Sequence, residues 1–179
     1  MNVQWDIRQE EKKDHRAVEQ LIKKAFQDLA ISDHHEHFLV NRLRKSLSFV
    51  PELALVAETH DQIVGYILLT EINITSKNEE ILALSLAPVA VVPEFQGKGI
   101  GSALIRKAHH LAAKKGYRWI ILVGHEKFYP RFGYQLADHD KLSFGFDVPK
   151  QNGFVLNLLE DDYKVLNVLI VYPKEFFED

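Results

Sequence analysis

The sequence predicts an α+β domain built on a mixed, mostly antiparallel central sheet with a βαβ core and flanking helices. Apolar runs at 53–58, 63–74 and 81–92 are joined by turns too short for a crossover, so they read as an antiparallel meander. Helical periodicity then fills 99–115. It is followed at once by Trp119-Ile120-Ile121-Leu122-Val123, an uninterrupted apolar run of the kind that marks a strand covered on both faces. Strand 81–92, helix 99–115 and strand 119–123 therefore make a βαβ unit, the one parallel crossover in the pattern.

The remaining elements follow in chain order. Val3, Trp5 and Ile7 alternate with polar residues, as a short first strand would. Asp14 is placed as the N-cap of a helix with Val18, Leu21, Ile22, Ala25, Phe26 and Leu29 on one face. A second short helix is predicted over 36–45 with Phe38, Leu39 and Leu43 inward. Turns fall at His60-Asp61-Gln62 and over 76–79, and Gly116 closes the helix over 99–115. Leu156 and the run 165–172 supply later strands. No repeat, low-complexity tract or linker divides the chain, which reads as a single domain over 1–179.

Composition narrows the function classes. The chain has 179 residues, 46% of them hydrophobic, enough to fill one core and exclude general disorder. No apolar run reaches the roughly 18–20 residues that span a bilayer, and Met1-Asn2-Val3-Gln4-Trp5-Asp6 does not read as a signal peptide. The absence of cysteine excludes disulfides, thiolate nucleophiles and Cys-based zinc sites. With 22 basic against 25 acidic residues, the net charge of −3 argues against a non-specific nucleic-acid binder. A cytoplasmic protein with neither nucleic-acid nor membrane partners is expected.

The most informative stretch is Val89-Ala90-Val91-Val92-Pro93-Glu94-Phe95-Gln96-Gly97-Lys98-Gly99-Ile100-Gly101-Ser102. Glycines at 97, 99 and 101 permit positive φ and leave no Cβ between backbone and ligand. The turn opens a helix whose first amides lack internal partners, a natural seat for phosphate. A Rossmann fingerprint would need glycine at Ser102, and a P-loop would need Ser or Thr where Gly99 stands. On these residues alone, a tight strand-to-helix turn without a ligand stays open.

In this context Gln96-Gly97-Lys98-Gly99-Ile100-Gly101 resembles the Q/R-x-x-G-x-G/A loop of the GNAT superfamily, the Gcn5-related N-acetyltransferases. His125-Glu126-Lys127-Phe128-Tyr129-Pro130-Arg131-Phe132-Gly133-Tyr134 resembles the FYxxxGF-type segment after that family's fifth strand. The resemblance implies acetyl-CoA as acetyl donor. Backbone groups of Val89, Ala90 and Val91 would hold the pantetheine arm and acetyl carbonyl. The amides of Gly97, Lys98, Gly99, Ile100, Gly101 and Ser102 would cradle the pyrophosphate, with Gln96 in the first motif position and Lys98 as an extra cation. Core packing of Val89 and Val91 is compatible with that role.

Acetyl transfer from a thioester requires a neutral amine, an oxyanion donor and a proton for the departing thiolate. The resemblance places the oxyanion donor at the Val91 amide and makes Tyr129 the candidate acid. Some family members carry a glutamate base six residues before Val91, where this chain has Ser85. Glu71 and His125 are the candidate bases, and a water relaying through backbone carbonyls would need neither.

The run Ser32-Asp33-His34-His35-Glu36-His37 invites a metal reading, but no distant third ligand stands out, and the expected metal content is none. The family places its acceptor lid between the first two helices, which is this segment. His109 and His110 read as surface positions, while Lys114 and Lys115 suit the negative end of their helix. Phe144, Phe146, Phe154, Phe176 and Phe177 of the tail are assigned to packing, with an apolar pocket or homodimer contact as alternatives. The expected activity is direct N-acetylation of an amine, by preference a small molecule. The alternative is an acyl-CoA-binding or sensing module with little turnover, and an ATP-type site is a distant third.

Overall fold

The computed structural model describes residues 4–28, 34–60, 62–77, 79–159 and 167–178. Val3, Leu29, Ser32, Asp33, Asp61, Val165 and the rest of the expected lid over 30–33 lie outside them. Among the described residues nine strands form one sheet in the order β1-β2-β3-β4-β5-β8-β6, with β9 beside β3 and β7 beside β9. They are β1 Asp6–Gln9, β2 Phe49–Thr59, β3 Gln62–Thr75, β4 Glu80–Val91, β5 Trp119–Val123, β6 Gln135–Leu136, β7 Leu142–Ser143, β8 Gly153–Asn157 and β9 Val168–Val171. The α-helices among the described residues are α1 His15–Phe26, α2 Glu36–Leu43 and α3 Ile100–Lys114.

The meander β2-β3-β4 is antiparallel and β4-β5 is parallel, so the predicted α+β architecture with its βαβ core is the one observed. The parallel pairing is short, with Leu84 opposite Ile120 and Ser85 opposite Ile121. Beyond it the two strands part. On its other side β5 pairs along its whole length with β8. Side chains of β5 alternate between two cores: Ile120 and Leu122 join the main cluster with α1 and α3, while Trp119 and Ile121 join a second built by the tail. That double burial explains why the strand is apolar throughout.

Three sequence expectations are corrected here. Asp14 precedes α1, yet its carboxylate does not cap that helix: it accepts from the Glu11 amide at 2.8 Å and from Arg8 at 2.6 and 3.0 Å. Phe38 faces outward at 49% exposure, whereas Leu43 is buried as expected and Leu39 partly so; His37 and Val40 complete the buried face, at a spacing of three. In the tail, Phe144 and Phe154 are packed, whereas Phe146 and Phe177 remain substantially exposed.

A buried ion pair ties α2 to the start of the chain. Arg44 donates from Nε and Nη2 to the two carboxylate oxygens of Glu10, with side chains 6% and 2% exposed, and its Nη1 donates to Asn41 Oδ1 at 2.7 Å. Removing one partner strands a buried charge, so Arg44→Ala is expected to cost about 3–5 kcal/mol. Arg44→Met combined with Glu10→Leu should recover most of that loss. Urea denaturation of the three proteins checks both statements.

Candidate active site

The site is built where β4 and β5 separate. Val92 donates its amide to the Val64 carbonyl at 3.0 Å, which fixes the direction of the backbone groups along this end of β4. In an antiparallel ladder these directions alternate. The pairs are Gly65 with Val91, Tyr66 with Ala90 and Ile67 with Val89. Ala90 therefore aims its amide and carbonyl at β3, while Val89 and Val91 aim theirs at the edge that β5 has left. Gln96 reaches back over this edge and donates its side-chain amide to the Val91 carbonyl at 3.0 Å. The Val91 amide is left pointing into the opening.

The loop after β4 brings α3 to the same opening. Gly97 and Gly99 have φ of +72° and +85°, the left-handed region that the glycine reading anticipated. Gly101 does not use that freedom: it is an ordinary helical residue of α3. A Cβ at Gly97 or Gly99 would meet nothing within 4 Å, and these faces of the loop are open. The first intrahelical bond runs from Ala103 to Gly99 at 3.0 Å, and no side chain caps the helix. The amides of Ile100, Gly101 and Ser102 consequently lack intrahelical partners and face outward with the positive end of the helix dipole. Lys98 folds back onto its own loop, donating to the Glu94 carbonyl at 2.9 Å with its ammonium 4.7 Å from the Phe95 ring centre.

Gly65 explains how α3 comes so close. A Cβ there would stand 2.9 Å from both Ile100 Cγ2 and Leu104 Cδ1. The sequence carries the signal, since glycine inside an apolar strand often marks a close approach, but its partner was not readable from the chain.

Tyr129 lies in a single-turn 3₁₀ helix, Tyr129–Phe132, after β5. It belongs to the same apolar cluster as Ala90, Ile100 and Leu104. Its ring is enclosed by Phe128, Tyr134 and Phe154 at centroid distances of 5.1, 5.7 and 6.0 Å. The side chain is 8% exposed, and its hydroxyl has no hydrogen-bond partner among the described residues. Burial pushes its pKa up to about 12.

The two candidate bases have different surroundings. Glu71 pairs with Leu84, at the level where β4 and β5 are still joined, and its carboxylate accepts the Tyr117 hydroxyl. His125 is exposed just beyond β5, and its Nδ1 accepts from the Lys127 amide at 3.2 Å. Ser85 is buried directly opposite Thr70. Among the described residues no group of three His, Asp or Glu is arranged to hold a metal ion, and no helix is long and apolar enough to cross a membrane.

His109 was expected on the surface and is not there. Its Nε2 and the Tyr134 hydroxyl share a hydrogen bond at 2.9 Å, and burial lowers its pKa to about 4. The neutral ring therefore stabilises the fold fully above the unfolded value near 6.5, and this contribution is lost as pH falls toward 4. A His109→Gln variant should lose less stability than wild type between pH 7 and pH 5, as read from denaturation midpoints.

Residues 51–136 match the acetyltransferase (GNAT) domain family. The chain is similar to the uncharacterized N-acetyltransferase YjhQ of Escherichia coli K12, 35% identical over 111 residues. That match spans 62% of this chain and 60% of the relative. YhbS, a second uncharacterized N-acetyltransferase of the same strain, is 24% identical over 89% of this chain and 90% of its own length. Among solved structures, a GNAT-family acetyltransferase from Brucella melitensis in complex with acetyl-CoA is 28% identical. It covers 97% of this chain and 99% of its own, with a TM-score of 0.77. The structure of YhbS in complex with CoA superposes with a TM-score of 0.85 over 98% of this chain and 93% of its own.

Proposed function

We propose that this chain, which belongs to the GNAT superfamily, transfers the acetyl group of acetyl-CoA directly to a primary amine, by preference that of a small molecule. The observation that carries this reading is the open edge of β4 leading into a helix N-terminus with three unpartnered amides. An extended pantetheine arm can run along that edge as a strand would. The amides of Gly97, Lys98, Gly99, Ile100, Gly101 and Ser102 then meet the pyrophosphate, where dipole attraction alone supplies a few tenths to about 1 kcal/mol. Acetyl-CoA is a natural occupant because the Brucella melitensis neighbour carries it.

In the proposed reaction the amine nitrogen bonds to the thioester carbon and the carbonyl becomes an oxyanion held by the Val91 amide. Its collapse breaks the carbon–sulfur bond, and Tyr129 protonates the departing thiolate. Tyrosine is ordinarily a weaker acid than a thiol, about 10 against 8.5, so this donation runs uphill in water. Burial also raises Tyr129 to about 12, so the donation requires the nascent thiolate to be desolvated at least as strongly as the tyrosine, which raises its own proton affinity. For the base, Glu71 and His125 stay the two candidates: Glu71 accepts the Tyr117 hydroxyl, and the basic nitrogen of the neutral His125 ring is Nδ1, which accepts from the Lys127 amide. No covalent intermediate on the protein is invoked. We place the reaction in a single cytoplasmic domain.

Calorimetric titration with acetyl-CoA tests the reading: micromolar binding is expected, and no binding to folded, ligand-free protein would end it. A neutral serine at position 85 instead of a carboxylate favours the second reading, a sensing module. Binding without product from any amine in a broad acceptor screen would select that alternative.

A further inference from the structure

We infer that Gly124, clamped by Asn152, is a positioning residue that sets where the Tyr129 hydroxyl stands. The role of Tyr129 as proton donor, proposed above, is the premise. Gly124 immediately follows β5. Its amide donates to the Asn152 carbonyl at 2.8 Å, and its own carbonyl accepts from Asn152 Nδ2 at 2.8 Å. One residue thus holds both polar groups of Gly124, and the path of the chain there is fixed.

The Tyr129 ring lies directly on this glycine. A Cβ added to Gly124 would stand 2.2 Å from Tyr129 Cε2, 3.0 Å from Cδ2 and 3.1 Å from Cζ, the carbon that bears the hydroxyl. Gly124 is not among the glycines with positive φ, so the backbone itself does not demand glycine. The ring demands it. Nor can the ring yield freely, because Phe128, Tyr134 and Phe154 enclose it on its other sides. Restoring ordinary contact to a methyl group would move the hydroxyl by about 1 Å, a displacement that can cost on the order of 100-fold in rate when it misaligns a reacting group.

The test compares Gly124→Ala, Asn152→Ala and Tyr129→Phe, with Gly124→Ala also placed in the Tyr129→Phe background. Turnover is read as slow hydrolysis of acetyl-CoA, in which the water oxygen bonds to the acetyl carbon and loses a proton, the carbon–sulfur bond breaks, and the CoA sulfur gains a proton. Gly124→Ala is expected to lower kcat at least tenfold, leave KM for acetyl-CoA within about twofold, and cost nothing further once the Tyr129 hydroxyl is gone. An equal loss in both backgrounds would mean that Gly124 acts through folding, and would overturn the inference. A second readout needs no turnover: the ¹³Cζ tyrosine signal that disappears in Tyr129→Phe should move in Gly124→Ala and in Asn152→Ala. A signal unmoved in both also overturns the inference. Wild-type protein that binds no acetyl-CoA defeats the acetyltransferase reading, yet the tyrosine signal still decides whether Gly124 positions the ring.

Discussion

Acetyl-CoA binding is expected to fall at least 100-fold when Gly99 and Gly101 are both replaced by aspartate, with the protein still folded. The two halves of that expectation have separate causes. Gly99 lies at φ +85°, so any side chain there carries left-handed strain of roughly 1–2 kcal/mol. Gly101 is in the first turn of α3, where a carboxylate favours the helix dipole and offsets part of that strain. Both carboxylates nevertheless stand where the proposed pyrophosphate would lie, and like charges there oppose binding. A 100-fold loss corresponds to about 2.7 kcal/mol. Calorimetry reports affinity and circular dichroism reports folding. Retained micromolar affinity in a folded variant would move the phosphates away from this loop.

Tyr129→Phe is the second large effect, and its signature is a clean split. The ring stays in its cage of Phe128, Tyr134 and Phe154, and the hydroxyl it loses has no described protein partner. Stability should therefore change by less than about 0.5 kcal/mol. Removal of a general acid lowers kcat by about 100-fold or more in favourable cases. The expected result is that loss at unchanged acetyl-CoA affinity. Full turnover by the variant would take the acid role away from Tyr129.

The contrast between these residues and those missed has a physical basis. The meander and the crossover were legible because strands of 11, 14 and 12 residues and a 15-residue helix each contain several periods of their pattern. Helix α2 has eight residues, barely two turns, and its phase was misread: Phe38 was turned inward where His37 belongs. Strands β6 and β7 have two residues each and carry no period at all. The glycine loop announced itself because its function resides in backbone geometry that few residue types permit. Gly124 and the His109–Tyr134 pair gave no such notice, and Gly65 signalled a close approach without its partner. Each depends on a neighbour brought close by the fold, such as Tyr134, 25 residues beyond His109. Asp14 shows the same effect in reverse, a familiar capping residue taken over by Arg8 of β1.

The separation of β4 from β5 has one more implication, for what the protein must refuse. An exposed strand edge invites any extended polypeptide to add itself, a common start to aggregation. Such an intruder needs donors and acceptors in strict alternation. At Val91 the acceptor is already occupied by Gln96, so the final rung of the edge offers a donor alone. A guest peptide would have to leave one of its own amides unsatisfied at that rung, whereas a guest ending in a carbonyl would not. Gln96 thus guards the edge against strand addition, and replacing it with alanine should leave the concentrated protein more prone to assemble.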